Sequence, residues 1–136
     1  MIRPLPPLAA VLSFIDAINC GDLERLGRLM SDDHRLLILD EPPVEGRAAN
    51  LRAWRGYMTA FPLYVIHPAR MAAREGRVAV LGTTTGSHLA LPDEEEMKQP
   101  VLWLGTVEDG RLSTWQIVPD SAEQREALGL SGEPAL

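Results

Sequence analysis

The residues from Phe14 to Asp40 constrain the fold more than any other stretch of this chain. Leu8, Val11, Leu12, Ile15 and Ile18 recur at helical spacing behind Pro6 and Pro7, which suit a first helical turn, where a missing amide donor costs nothing. Gly21 can take the left-handed conformation that ends a helix near Cys20, and Asp22 is a good N-cap for a second helix carrying Leu23, Leu26, Leu29 and Met30. Two helices therefore meet at a tight corner. Beyond the polar run Ser31-Asp32-Asp33-His34, the apolar residues Leu36 to Leu39 end at Asp40-Glu41-Pro42-Pro43, which favours a buried strand.

Downstream the pattern changes from helix to sheet. Arg47 to Ala60 reads as a third helix, with Leu51, Trp54, Tyr57 or Met58, and Phe61 three or four apart and Pro62 ending it. Tyr64 to Ala73, Arg77 to Leu89, Val101 to Val107 and Arg111 to Val118 are apolar or β-branched segments, separated by Glu75-Gly76, an acidic loop and Asp109-Gly110. They predict an antiparallel meander. Pro68 removes a ladder donor, which places its strand at an edge or at a bulge. Ser121-Ala122-Glu123-Gln124 is a capping-box pattern that starts a short helix through Leu128, stopped by Gly129. Pro92 to Pro100 is a long polar loop, in which Asp93-Glu94-Glu95-Glu96 reads as a solvated charge run.

Helices first and hairpin-linked strands afterwards argue for an α+β fold: a cone-shaped, curved, mostly antiparallel sheet wrapped around N-terminal helices, with one pocket. The 136 residues suit a single domain spanning 1–136, with its core at about 8–130. No apolar run approaches the roughly 20 residues of a membrane span, and Met1 to Pro7 is broken by prolines, unlike a secretory leader. The expected setting is cytoplasmic. A lone cysteine, Cys20, excludes an internal disulfide and a multi-cysteine zinc site. The net charge of −6 opposes binding to nucleic acid or to anionic membranes, so the expected partner is a small apolar molecule. The acidic run lacks the glycine-turn spacing of a calcium loop, and no metal and no cofactor are expected.

The residues Phe14-Ile15-Asp16-Ala17-Ile18-Asn19-Cys20-Gly21-Asp22-Leu23, Met30-Ser31-Asp32-Asp33, Glu45-Gly46-Arg47, Gly82-Thr83 with Gly86-Ser87-His88, and Asp109-Gly110-Arg111-Leu112 with Trp115 resemble the nuclear transport factor 2-like superfamily. The resemblance is particularly to its SnoaL-like, polyketide cyclase-like branch, and it runs in order along almost the whole chain. It implies a cystatin-like α+β barrel with a pocket, and a homodimer through the outer sheet face. The scaffold hosts unrelated chemistries, so it implies either cofactor-independent acid-base catalysis (cyclase, isomerase, hydratase or hydrolase type) or a non-catalytic ligand-binding or dimerisation module.

Candidate site residues follow from both lines of reasoning. Asp40 falls about where similar ketosteroid isomerases carry their proton-moving carboxylate; alternatively it opens the following turn. The isomerases' donor tyrosine falls at Phe14 and their donor acid at about Trp103, so an oxyanion hole for an enolate is missing. Asp120 lies close to the catalytic aspartate of similar polyketide cyclases, or else caps the last helix; their histidine would fall near Thr106. The penultimate strand also lacks the Asp and Arg of similar epoxide hydrolases. Of the three histidines, His34 reads as exposed or capping, His67 as structural or re-aimed by a bulge at Pro68, and His88 as a functional group at the rim of the cone. Phe14, Trp54, Tyr57, Trp103 and Trp115 are candidate ligand walls, or plain core. Gly82, Gly86 and Gly105 fit sharp sheet curvature.

Overall fold

Proline and glycine punctuation sets the first helix in the computed structural model, which describes residues 3–131. Met1, Ile2 and residues 132–136, included above in the leader and domain readings, lie outside the described residues. Helix α1 (Pro7–Cys20) has Pro7 in its first turn and ends on Gly21 at φ 66°. Helix α2 (Leu23–Arg28) follows, with the Asp22 side chain accepting from the Arg25 amide. The buried face of α1 comprises Ala10, Val11, Phe14, Ile15, Ala17 and Ile18, while Leu8 and Leu12 of the expected apolar stripe face outward.

The remaining elements are β1 (Met30–Ile38), β2 (Val44–Glu45), α3 (Arg47–Ala60), β3 (Val65–Arg74), β4 (Arg77–Thr85), α4 (Asp93–Glu96), β5 (Val101–Glu108), β6 (Arg111–Val118) and α5 (Ala122–Ala127). One six-stranded sheet runs in the order β2-β1-β6-β5-β4-β3. The meander β3 to β6 is antiparallel as expected, and the edge strand β3 shifts register between Pro68 and Arg70. At both Glu75-Gly76 and Asp109-Gly110 the two residues have positive φ, the backbone of a tight hairpin turn.

Two departures lie in β1. It starts at Met30, read from the sequence as the end of the second helix, and runs through the polar Ser31 to His34, because Met30 pairs with Leu112 and a register shift before Arg35 absorbs Ser31 to Asp33. It also pairs parallel to β6, joining the first strand to the last.

The curved sheet holds α1 against its inner face, where Phe14, Trp103, Trp115, Val78 and Val80 form the main core. Phe14 is fully buried and tilts against Trp115 at 5.3 Å between centroids; truncating such a residue to alanine costs about 3–5 kcal/mol. On the outer face Ala79, Leu81, Leu102 and Leu104 are covered by the chain's own Leu128 and Leu130, just beyond α5. Curvature brings backbones so close that a Cβ on Gly82 would lie 2.2 Å from the His67 carbonyl oxygen.

Candidate functional site

A cavity of about 640 Å³ opens between α3 and the inner face of β1, β5 and β6. Ile38 and Ile117 alternate inward on paired positions of parallel β1 and β6, and α3 supplies Trp54 and Tyr57 one turn apart. Trp103 and Trp115, on adjacent strands, form the floor with rings stacked 6.2 Å apart. Asp40, Glu41 and His88 border the cavity from its exposed end. No Lys or Arg is among its lining residues.

Of the candidate side chains, Asp40, His88, Trp54, Tyr57, Trp103 and Trp115 therefore meet around one space. Phe14, Asp120 and His67 do not line it. Phe14 lies beneath the tryptophan floor because the buried face of α1 turns it into the core. Asp120 sits after β6, where the Arg125 guanidinium donates to both its oxygens at 2.7 Å. Those hydrogen bonds hold its carboxyl below the usual range. It is paired to α5 rather than turned to the pocket. His67 lies beside the Pro68 irregularity, but its Nε2 pairs with Thr85 Oγ1 at 2.9 Å on neighbouring β4.

His34 is fully buried, not exposed or capping, since β1 runs through it. Its Nδ1 lies 2.6 Å from the Leu112 carbonyl oxygen, and its ring packs on Phe14 at 5.7 Å. Burial holds its pKa below the ordinary imidazole value, against the pull of the Leu112 carbonyl and Asp33.

The polar end of the cavity is a paired tyrosine and histidine. The Tyr57 hydroxyl lies 2.8 Å from His88 Nδ1 and accepts from the His88 backbone amide at 3.2 Å. Burial raises the Tyr57 pKa, while the His88 amide and Ser87 hydroxyl pull it down. The pairing of these two residues, 31 positions apart, has no local sequence signal. Tyr64, read only as the start of a strand, also lines the cavity, and its ring packs edge-on against Tyr57 at 5.0 Å. Burial pushes its hydroxyl pKa well up, so it stays protonated as a donor.

Behind this pair, Glu96 corrects the reading of the acidic loop as wholly solvated: it is only 1% exposed. Helix α4 turns its carboxylate inward to accept from Thr84 Oγ1 and, at 3.4 Å, from the Ser87 amide. Burial alone would raise its pKa, but the Thr84 and Ser87 hydrogen bonds outweigh it and hold the carboxyl ionised. Among the described residues no three His, Cys, Asp or Glu side chains form a metal-holding group, and no helix is long and apolar enough to cross a membrane.

This chain belongs to the SnoaL-like domain family, whose model matches residues 11–115. No curated protein matches it by sequence. Among solved structures, it is similar to a candidate polyketide cyclase of Sinorhizobium meliloti (TM-score 0.69, 24% identity, 84% of this chain and 95% of that one). An uncharacterised cystatin-fold protein of Novosphingobium aromaticivorans superposes with a TM-score of 0.70 at 16% identity, covering 85% of this chain and 99% of that one. SalBIII, an epoxide hydrolase/cyclase-like enzyme with a role in pyran ring formation in the polyether salinomycin, gives 0.66 at 18% identity, covering 82% and 88%. These likenesses confirm the cystatin-like α+β architecture with its curved, unclosed sheet.

Proposed function

We propose that this domain binds a small, uncharged, largely apolar molecule in the cavity beneath α3. The observation that carries the reading is a cavity of about 640 Å³ whose walls are mostly aromatic and aliphatic, with Tyr57, Tyr64, His88, Asp40 and Glu41 as its polar groups. Such a volume suits one small organic ligand, and such a lining binds by apolar burial and orients by a few hydrogen bonds. The lack of Lys or Arg in the lining disfavours an anionic ligand, whose charge would face Asp40 and Glu41.

Incubating the protein with a metabolite extract and identifying what co-purifies by mass spectrometry tests this. A specific apolar molecule should be retained by the parent and lost from Val44→Trp, which fills the rim, and weakened in Trp103→Phe. Retention of nothing specific, or equal retention by Val44→Trp, overturns the assignment.

Cofactor-independent acid-base chemistry on the bound molecule, of the cyclisation, isomerisation or water-addition type, is a second reading. It is favoured because Asp40 and His88 border the same cavity and is supported by the cyclase-like solved relatives. Asp40 would exchange the proton and His88 polarise the reacting group. Conversion by the parent but not by Asp40→Asn supports it; recovery of the same unchanged ligand from both overturns catalysis and leaves binding intact.

The same reading includes a cytoplasmic setting and a homodimer through the outer sheet face. Leu128 and Leu130 cover the outer face of β4 and β5, so pairing would use the neighbouring β6 and β1 half. Light scattering that reports a single-chain mass would remove the dimer.

A further inference from the structure

Glu96 is a buried carboxylate that takes part in no ion pair with Lys or Arg among the described residues; the charge that favours its ionised form is that of His88. An ionised carboxylate out of water is costly unless hydrogen-bonded, so this placement needs an explanation beyond solubility. Its acceptor bonds run to Thr84, at the end of β4, and to Ser87, in the turn that follows. Gly86, at φ 69°, lies so close to the Leu63 carbonyl oxygen that a Cβ there would approach it to 2.3 Å. The 86–88 turn is thus gripped by the α3–β3 connection on one side and by Glu96 on the other. His88 is the next residue along.

The Tyr57 oxygen accepts from the His88 amide, which disposes its own O–H to donate to His88 Nδ1 at 2.8 Å, with the Ser87 hydroxyl as the other polar group beside it. Donation to Nδ1 leaves that nitrogen unprotonated in the neutral ring, so the proton of the imidazole sits on Nε2. Nε2 has no protein partner among the described residues, while His88 itself lines the cavity.

We propose that Glu96 is a positioning residue that, through Ser87 and Thr84, holds His88 against Tyr57 so that His88 offers its Nε2–H to the cavity, which therefore selects ligands carrying a carbonyl-type acceptor oxygen. This rests on the cavity being the binding site, and it narrows the ligand from an apolar molecule to an apolar ketone, quinone or related acceptor. It also makes the His88 ring the donor, leaving Asp40 as the acceptor at the same opening.

Long-range proton–nitrogen NMR on the ligand-free protein at mildly alkaline pH reads the tautomer directly. The parent should show His88 with protonated Nε2 and a hydrogen-bonded, unprotonated Nδ1. Tyr57→Phe should shift Nδ1 toward the averaged signal of a free imidazole. Glu96→Gln should do the same with Tyr57 still in place, whereas exposed Glu95→Gln should not. Near-UV circular dichroism checks that each variant is folded, and Thr84→Val, which removes one donor, repeats the Glu96 test more gently.

An Nδ1–H tautomer in the parent overturns the proposal, as does a His88 signal unmoved in both Glu96→Gln and Thr84→Val. A second arm uses indanone and indane as probes. The preference for the ketone should fall about fivefold in Glu96→Gln, the worth of one hydrogen bond; an unchanged preference overturns the acceptor selection. If neither probe binds any variant, the acceptor selection is overturned and the cavity reading weakened, while the NMR result still decides the role of Glu96.

Discussion

Replacing Asn50 by alanine should cost about 2–3 kcal/mol, and the sum can be followed atom by atom. Asn50 is fully buried on α3, with Nδ2 3.0 Å from the His34 carbonyl oxygen, 3.0 Å from that of Val44 and 2.8 Å from that of Gly46. A carboxamide has two hydrogens, so three carbonyls share two bonds, worth about 1 kcal/mol each. The His34 and Gly46 oxygens keep backbone donors, from the Gly46 and Asn50 amides. Val44 pairs with Leu36 in the β1–β2 ladder, so no carbonyl is left wholly without a donor, and the loss of the amide from three buried acceptors adds up to about 1 kcal/mol. Against this, Asn50 Oδ1 is itself buried and unpartnered, and its removal returns a fraction of that cost. Urea unfolding at unchanged m-value should show the loss as a lower midpoint. Asn50→Asp should be worse than alanine, because it turns an acceptor toward three acceptors. A loss under about 1 kcal/mol for alanine, or aspartate no worse than alanine, would refute the reasoning.

Two further outcomes follow from the packing. Gly82→Ala places a Cβ 2.2 Å from the His67 carbonyl oxygen, and two paired backbones cannot part without breaking the β3–β4 ladder. It should cost at least about 3 kcal/mol in urea unfolding or yield no folded protein; near-parental stability would contradict the curvature of the sheet. His34 ties stability to pH with a definite sign. Burial depresses its pKa below 6.5 in the folded chain, so the unfolded chain binds the proton more readily. Stability is complete above about pH 6.5 and declines as pH falls through that value. Glu96 and Asp120, also depressed, withdraw theirs only in the more acidic carboxylate range. Thermal melts from neutral to mildly acidic pH should decline for the parent and flatten for His34→Gln; a parent insensitive to pH there sinks the assignment.

The helical corner was legible because Gly21 and Asp22 act locally, and the meander because its turns carry glycine where positive φ is needed. The start of β1 was not, since Met30 joins the sheet through Leu112, a partner more than eighty residues away. The burial of His34 has the same origin: its neighbours are polar, and only the Leu112 carbonyl explains it. In the site, Trp54 and Tyr57 could be read from one helix face, and Asp40 from the end of a strand. Glu96 could not be told from Asp93, Glu94 and Glu95, because which acid of a short helix turns inward depends on Thr84 and Ser87 waiting opposite.

The parallel seam between β1 and β6 also governs how the chain can be made. Strand order places the first strand beside the last, so β1 has only the two-residue β2 to pair with until β6 exists. During synthesis β1 must wait through some seventy residues before its main partner strand appears, a delay set by loop closure rather than by local propensity. Truncation ahead of Arg111 would leave the cavity without Trp115, Ile117 and the seam that holds Ile38 beside them. A nascent or truncated chain is therefore not a weaker version of this protein but one with no vessel at all, and ligand capture begins only when the final strand closes.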